Sequence, residues 1–117
     1  MNHQPKEAIM SLYRFKSRET GDLVMLQPHG KRILEILGKD PSGPGIVQPE
    51  EMASAVRALH DASMAEEAEH KRLKEEAEAQ GELPPQFETV SLRVRCAPFI
   101  EMLKRCEQAK VDIVWGV

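Results

Sequence analysis

Apolar residues follow two different periods along this chain. In the segment Ile9 to Lys16, Ile9, Tyr13 and Phe15 fall on one side of an extended backbone, which predicts a strand. Leu23-Val24-Met25-Leu26 predicts a second short strand, and the run from Ser17 to Gly21 between them reads as a turn, so a hairpin is expected. Ile33, Leu34 and Leu37 then give an apolar face to a short helix bracketed by Pro28 and Gly38. Proline suits the first helical position and glycine the residue past the last. Lys39-Asp40-Pro41-Ser42-Gly43-Pro44-Gly45 reads as a plain loop. It carries glycines and a lysine, but it lacks the spacing of a phosphate-binding loop and no helix follows it directly.

The stretch from Pro49 to Glu82 dominates the chain. From Glu50 to Gln80 there is no Gly or Pro, and strong helix formers prevail. Pro49 fits the first helical position, Glu50 and Glu51 favour the positive end of the helix dipole, and Gly81 with Pro84 and Pro85 is a stop signal. With Gln48 as the cap, Val47 and Met52 stand where a hydrophobic staple would join them. Met52, Val56 and Leu59 form an apolar face, but beyond Met64 the one large apolar residue is Leu73. Charged pairs at helical spacing replace the face: Glu67 with Lys71, Arg72 with Glu76, Lys74 with Glu78. A single long helix is expected, whose second half protrudes, packs on a partner or folds back. Ser63 and Glu66 fit a capping box, which makes a break near Asp61–Ser63 the alternative.

After the connector, Ser91 can cap a helix carrying Leu92, Cys96, Phe99, Ile100 and Leu103 on one face, kinked at Pro98. The alternative is a helix that begins at Pro98. Val111, Ile113, Trp115 and Val117 then alternate with smaller or polar residues and predict a terminal strand. That strand is expected beside the first, because Ile9, Tyr13 and Phe15 offer it a matching apolar face. The class is therefore α+β. A small three-stranded sheet, the N-terminal hairpin plus the C-terminal strand, packs on helices, one of them long, acidic and partly exposed. A single domain is expected over 9–117, after a disordered leader over 1–8.

Composition narrows the function classes. The chain has 117 residues, 41% hydrophobic and 30% charged, as in a soluble globular protein. No apolar run reaches the roughly eighteen residues of a membrane span, and no signal-peptide core is present, so the cytoplasm is the expected compartment. A net charge of −3 argues against a nucleic-acid partner. Residues 41–83 carry ten acidic and four basic side chains, so the negative charge is concentrated on the long helix. Cys96 and Cys106 lie ten residues apart in one expected helix and cannot pair there. Cys96 is expected to be buried and Cys106 partly exposed.

Tyr13-Arg14-Phe15-Lys16-Ser17, Gly21 to Leu26, Ser91-Leu92-Arg93, Pro98 to Leu103 and the terminal Val114-Trp115-Gly116-Val117 resemble the bacterial family of domain of unknown function 1840. The resemblance runs from about Ile9 to Val117 and implies a small bacterial protein with no assigned activity. It brings no catalytic residues with it.

Catalytic signatures are missing from the residues themselves. His70 follows Glu66 at helical spacing, but no third or fourth ligand accompanies them, so no metal or cofactor is expected. No nucleophile elbow occurs, and neither Cys has an evident His partner. Arg14, Lys16 and Arg18 accompany Tyr13 and Phe15 as in some RNA-binding sheets, yet the RNA-binding consensus is absent and core aromatics with edge-protecting charges explain them better. Two readings follow. One is a non-enzymatic module that binds a protein, or itself, through the long helix at Met64 and Leu73. The other is a ligand- or anion-binding protein or enzyme, its pocket between the sheet and the kinked helix, with Arg93 or Arg95 holding the anion.

Overall fold

The computed structural model describes residues 12–88 and 90–116. The expected leader over 1–8, the start of the first strand at Ile9 and the terminal Val117 lie outside those residues. The elements are β1 (Leu12–Phe15), β2 (Leu23–Leu26), α1 (Gln27–Ile36), β3 (Gly45–Val47), α2 (Pro49–Ala79), α3 (Leu92–Ala109) and β4 (Ile113–Trp115). The class is α+β, as the periodicity requires.

The hairpin forms as expected, with Leu12 opposite Leu26 and Phe15 opposite Leu23. Ser17 closes its turn: the hydroxyl oxygen accepts from the backbone N–H of Glu19 and Thr20 at 3.2 and 3.0 Å. The single three-stranded sheet does not form. Among the described residues there are two antiparallel two-stranded ribbons, β1–β2 and β3–β4. β1 and β4 touch through one bridge, where Lys16 N–H donates to Val114 O at 2.8 Å and Val114 N–H donates to Lys16 O at 2.9 Å.

Two local causes explain this. The end of the supposed loop, Gly45-Ile46-Val47, is a strand, and it occupies the other edge of β4 with Gly45 opposite Trp115. Only glycine fits there, since a Cβ on Gly45 would stand 2.1 Å from Trp115 Cζ2. Directly after Trp115 the backbone of Gly116 takes φ = +76°, which ends the extended conformation. β4 is thereby turned away from β1 one residue pair after they meet.

α2 is unbroken. The hydroxyl of buried Ser63 donates to Leu59 O at 2.9 Å within the helix, so it is used in a back-bond and does not cap a new segment. α2 stops at Gly81 (φ = +70°), where Glu82 N–H reaches Ala77 O at 2.8 Å. In α3, Ser91 Oγ accepts from Val94 N–H, and the helix runs through Pro98, so it does not begin there. Val94, whose carbonyl loses its helical partner to that proline, is an exposed residue.

The core joins all the elements. Phe15 lies 4.8 Å from Phe99 and 5.8 Å from Trp115 between ring centroids, fixing both ribbons to α3. Ile33 and Leu34 of α1, Met52 and Leu59 of α2, and Leu103 and Ile113 complete it. Val47 and Met52, the staple positions, are both buried in it. Cys96 and Cys106 are free thiols, both fully buried, so the partial exposure expected of Cys106 is corrected. Its turn of α3 faces the core beside Met102 and Leu103.

Trp115 is the chain's one tryptophan and is 1% exposed. Its emission is expected to be blue-shifted in the native state and to move red on unfolding. Trp115→Ala is expected to cost about 3–5 kcal/mol, the range for a large buried aromatic, as measured by denaturant melts. Gly45→Ala is expected to destabilise as well, because its Cβ has no space beside the indole. A Trp115→Ala melt within a degree of wild type would mean that β4 does not carry the core.

Candidate functional site: a gap between the two ribbons

The residues singled out from the sequence lie in several places. Along α2 the seam facing the core continues past Leu59 through Ser63, Glu66, His70, Leu73 and Ala77, at spacings of four, three, four, three and four. Ser63 and Ala77 are buried and the others are half-buried. The seam turns polar because its neighbour changes. At Glu66 it meets the N-terminus of α3, where an acidic acceptor is favoured. Glu66 Oε1 accepts from Leu92 N–H at 3.0 Å, and Oε2 pairs with Arg32 at 3.2 Å. One turn on, the connector takes over: Phe87 stacks on the His70 imidazole at 3.7 Å with the planes 7° apart. The second half of α2 is thus held by its own chain.

Leu73 belongs to that internal seam. Met64, nine residues earlier, stands half a turn away at about 100° per residue and is 56% exposed. Met64 and Leu73 therefore do not form one surface. Arg93 and Arg95 do not converge either. Arg93 donates twice to Glu67, at 2.7 and 2.9 Å, and that hydrogen bonding holds the Glu67 carboxyl below the usual carboxylate range. Arg95 Nη1 lies 2.7 Å from His29 Nε2, and Nη2 lies 3.5 Å from Glu88. Each arginine is engaged in its own direction.

The opening that brings chemistry-bearing groups together is where the sheet fails to close. Beyond the Lys16–Val114 bridge, β1 and the end of β4 separate around a cleft of about 470 Å³. Leu12, Tyr13, Arg14 and Lys16 form one wall, Trp115 and Gly116 the other, and Pro41 to Pro44 the floor. Residues from both faces of β1 line it, so it is a slot along the strand edge. The floor is anchored by the Tyr13 hydroxyl, which donates to Pro41 O, and by Asp40, which accepts from Ser42 N–H and Oγ–H. Those bonds lower the Asp40 carboxyl from its ordinary range. Tyr13 itself is seated on Gly30, where a Cβ would come within 2.4 Å of its ring.

Strand alternation fixes which backbone groups face the slot. Lys16 N–H and C=O point to β4, so with a period of two those of Arg14 point the same way, away from β2. Outside the β1–β2 ladder, no backbone bond between described residues involves Arg14 N–H or C=O. The indole N–H of Trp115, in the opposite wall, is buried and also without a partner among the described residues. An unpaired buried donor costs about 1–3 kcal/mol.

Residues 10–115 match the family described as domain of unknown function, DUF1840. The chain belongs to this family. No curated protein and no solved structure matches the chain. Both walls and the floor of the slot fall within the matched DUF1840 range up to Trp115. The family description assigns no activity, so residue roles rest on geometry alone. Among the described residues of this DUF1840 chain no group of three His, Cys, Asp or Glu is placed to hold a metal, and no helix is long and apolar enough to cross a membrane. Phe15 is fully buried and Tyr13 rests on Gly30, so these aromatics are core and not a stacking platform. A second cleft, of about 500 Å³, is lined by Lys16, Arg18, Lys110 and Asp112 beside the end of α3. Its cations complement the negative end of that helix and call for no ligand.

The slot is hidden in the sequence because the alternation of β1 and β4 matches that of a closed sheet. The available signal was Gly116 after the one Trp, with a Pro-Gly run ending at Gly45.

Removing the Glu66 carboxylate is expected to loosen the α2–α3 junction. Glu66→Ala is expected to cost about 0.5–2 kcal/mol, as for loss of a helix cap, while Met64→Ala stays within about 0.5 kcal/mol of wild type. Glu67 has a lowered folded-state pKa, so its contribution is present above the ordinary carboxylate range and is lost as pH falls through the folded value. Acid titration of Glu67→Gln is expected to show a shallower loss of stability on the acid side than wild type.

Proposed function

We propose that this DUF1840 protein is a non-catalytic interaction module that binds an extended segment of another protein by strand addition in the slot between β1 and β4. The observation that carries this reading is the single Lys16–Val114 bridge, beyond which Arg14 N–H and C=O face an open cleft. Those two groups are one complete pairing position of an antiparallel ladder, and recognition by strand addition works through such an edge. Leu12, more than half exposed at the mouth, supplies apolar contact to one face of an added strand. A two-stranded ribbon is marginal alone, and a third strand between β1 and β4 would extend both ribbons.

The long helix is a weaker candidate for the interaction surface, because its inner seam is already occupied and Met64 is a lone apolar residue on its outer side. An enzymatic reading finds no support in the slot, whose described lining residues include no nucleophile-and-base pair.

Selection of a random 12-residue peptide library on the whole chain, followed by N-methylation of each amide of a selected peptide in turn, tests this. Strand addition is expected to give a period of two: methylation at alternate amides weakens binding at least about tenfold, roughly 1.4 kcal/mol, and the others are tolerated. Failure to select any binder, or uniform tolerance of methylation, would overturn the proposal.

A further inference from the structure

We infer that a second copy of this chain docks face to face on the outer side of the β1–β2 hairpin, giving a two-fold dimer. The register fixes which side chains share that side. Leu12 stands opposite Leu26 and Arg14 opposite Val24, so these four point one way and Tyr13, Phe15, Leu23 and Met25 the other. The second set belongs to the core or packs against it. A ribbon with one face on the core ordinarily turns polar residues to water. Here three of the four outward positions are large and apolar, with Leu12 55%, Leu26 49% and Val24 40% exposed. Val114 pairs with both Lys16 and Ile46, so the exposed Ile46 carries the apolar surface on across the bridge.

The charges on this side select the occupant. Continued by one pair, the register sets Lys16 opposite Asp22. The outer side of β1 thus runs apolar to basic, from Leu12 through Arg14 to Lys16, and that of β2 apolar to acidic, from Leu26 through Val24 to Asp22. A two-fold axis running along the hairpin between its strands lays β1 of each copy over β2 of the other. Leu12 then covers the partner's Leu26, and the basic end of β1 covers the partner's Asp22. Arg14 and Asp22 already pair within the chain at 3.4 Å, both about half exposed, so docking joins two existing pairs at the rim of an apolar contact. A second copy carries this complementary pattern by symmetry. An anionic membrane is a poor match for a chain with a net charge of −3. Stacked sheets lie about 10 Å apart, so the edge of β1 stays open and the dimer is independent of strand addition.

Sedimentation of the full chain over a range of concentrations is the test, and a dimer in equilibrium with monomer is expected. Leu12→Lys and Leu26→Glu, both at exposed positions, are each expected to keep the native circular dichroism. Each is expected to weaken dimerisation at least about tenfold, because it sets a charge in an apolar contact. Mixed in equal amounts, the two variants are expected to associate with each other more tightly than either does with itself, since the introduced charges then face each other. Mild oxidation of a mixture of Leu12→Cys and Leu26→Cys is expected to link unlike copies, and Met64→Cys on the outer side of α2 to remain unlinked. The native thiols are buried and do not interfere. A monomer at every concentration up to millimolar, or a dimer that both charged variants leave intact, would overturn the inference and leave strand addition standing.

Discussion

The two hydrogen bonds between Lys16 and Val114 are the constraint on which the arrangement turns. They are the backbone joint between an N-terminal ribbon and a ribbon made from the middle and the end of the chain. On one side of the joint, Phe15 and Trp115 lie next to the bridging residues and close on Phe99. The core under the joint is therefore aromatic and buried. On the other side Gly116 turns the backbone out of line, and the ribbons part. One short contact thus produces a sealed core and an open strand edge within a few residues.

The helices serve that geometry. α3 carries Phe99 beneath the joint and is held along α2 by Glu66 at its N-terminus and by Arg93 on Glu67. The length of α2 follows from this. Its first half buries Met52 and Leu59, while its second half provides the acceptor for α3 and a track for the connector through His70 and Phe87. An acidic half-helix that looks solvated in composition is in part the N-terminal cap of its neighbour.

Most of the fold was legible because it is written in local patterns. Pro49 and Gly81 bound α2, Ser91 caps α3, and alternation marks β1, β2 and β4. What was illegible depends on contacts between distant residues. β3 is three residues long, too short to show a period, and its glycine is explained by Trp115, seventy residues away. Cys106 reads as partly exposed because nothing in its neighbours along the chain says which face of α3 is covered. Ser63 read as a cap because a hydroxyl followed by Glu66 fits one, and the back-bond to Leu59 is invisible without coordinates. The slot was harder still. Arg93 and Arg95, expected to hold an anion in a pocket between the sheet and the kinked helix, are instead engaged by Glu67 and by His29 and Glu88. Arg14 reads from the sequence as an edge-protecting charge, and it does stand on the strand that lines the cleft.

The central claim is that β1 ends its partnership with β4 at Lys16. Amide hydrogen exchange residue by residue along β1 addresses it without any ligand. Tyr13 and Phe15, whose N–H groups face β2, are expected to be protected, Lys16 to be protected by Val114, and Arg14 to exchange many times faster than its neighbours on either side. Protection of Arg14 equal to that of Tyr13 and Phe15 would mean that a strand already lies along that edge, and the slot would not exist.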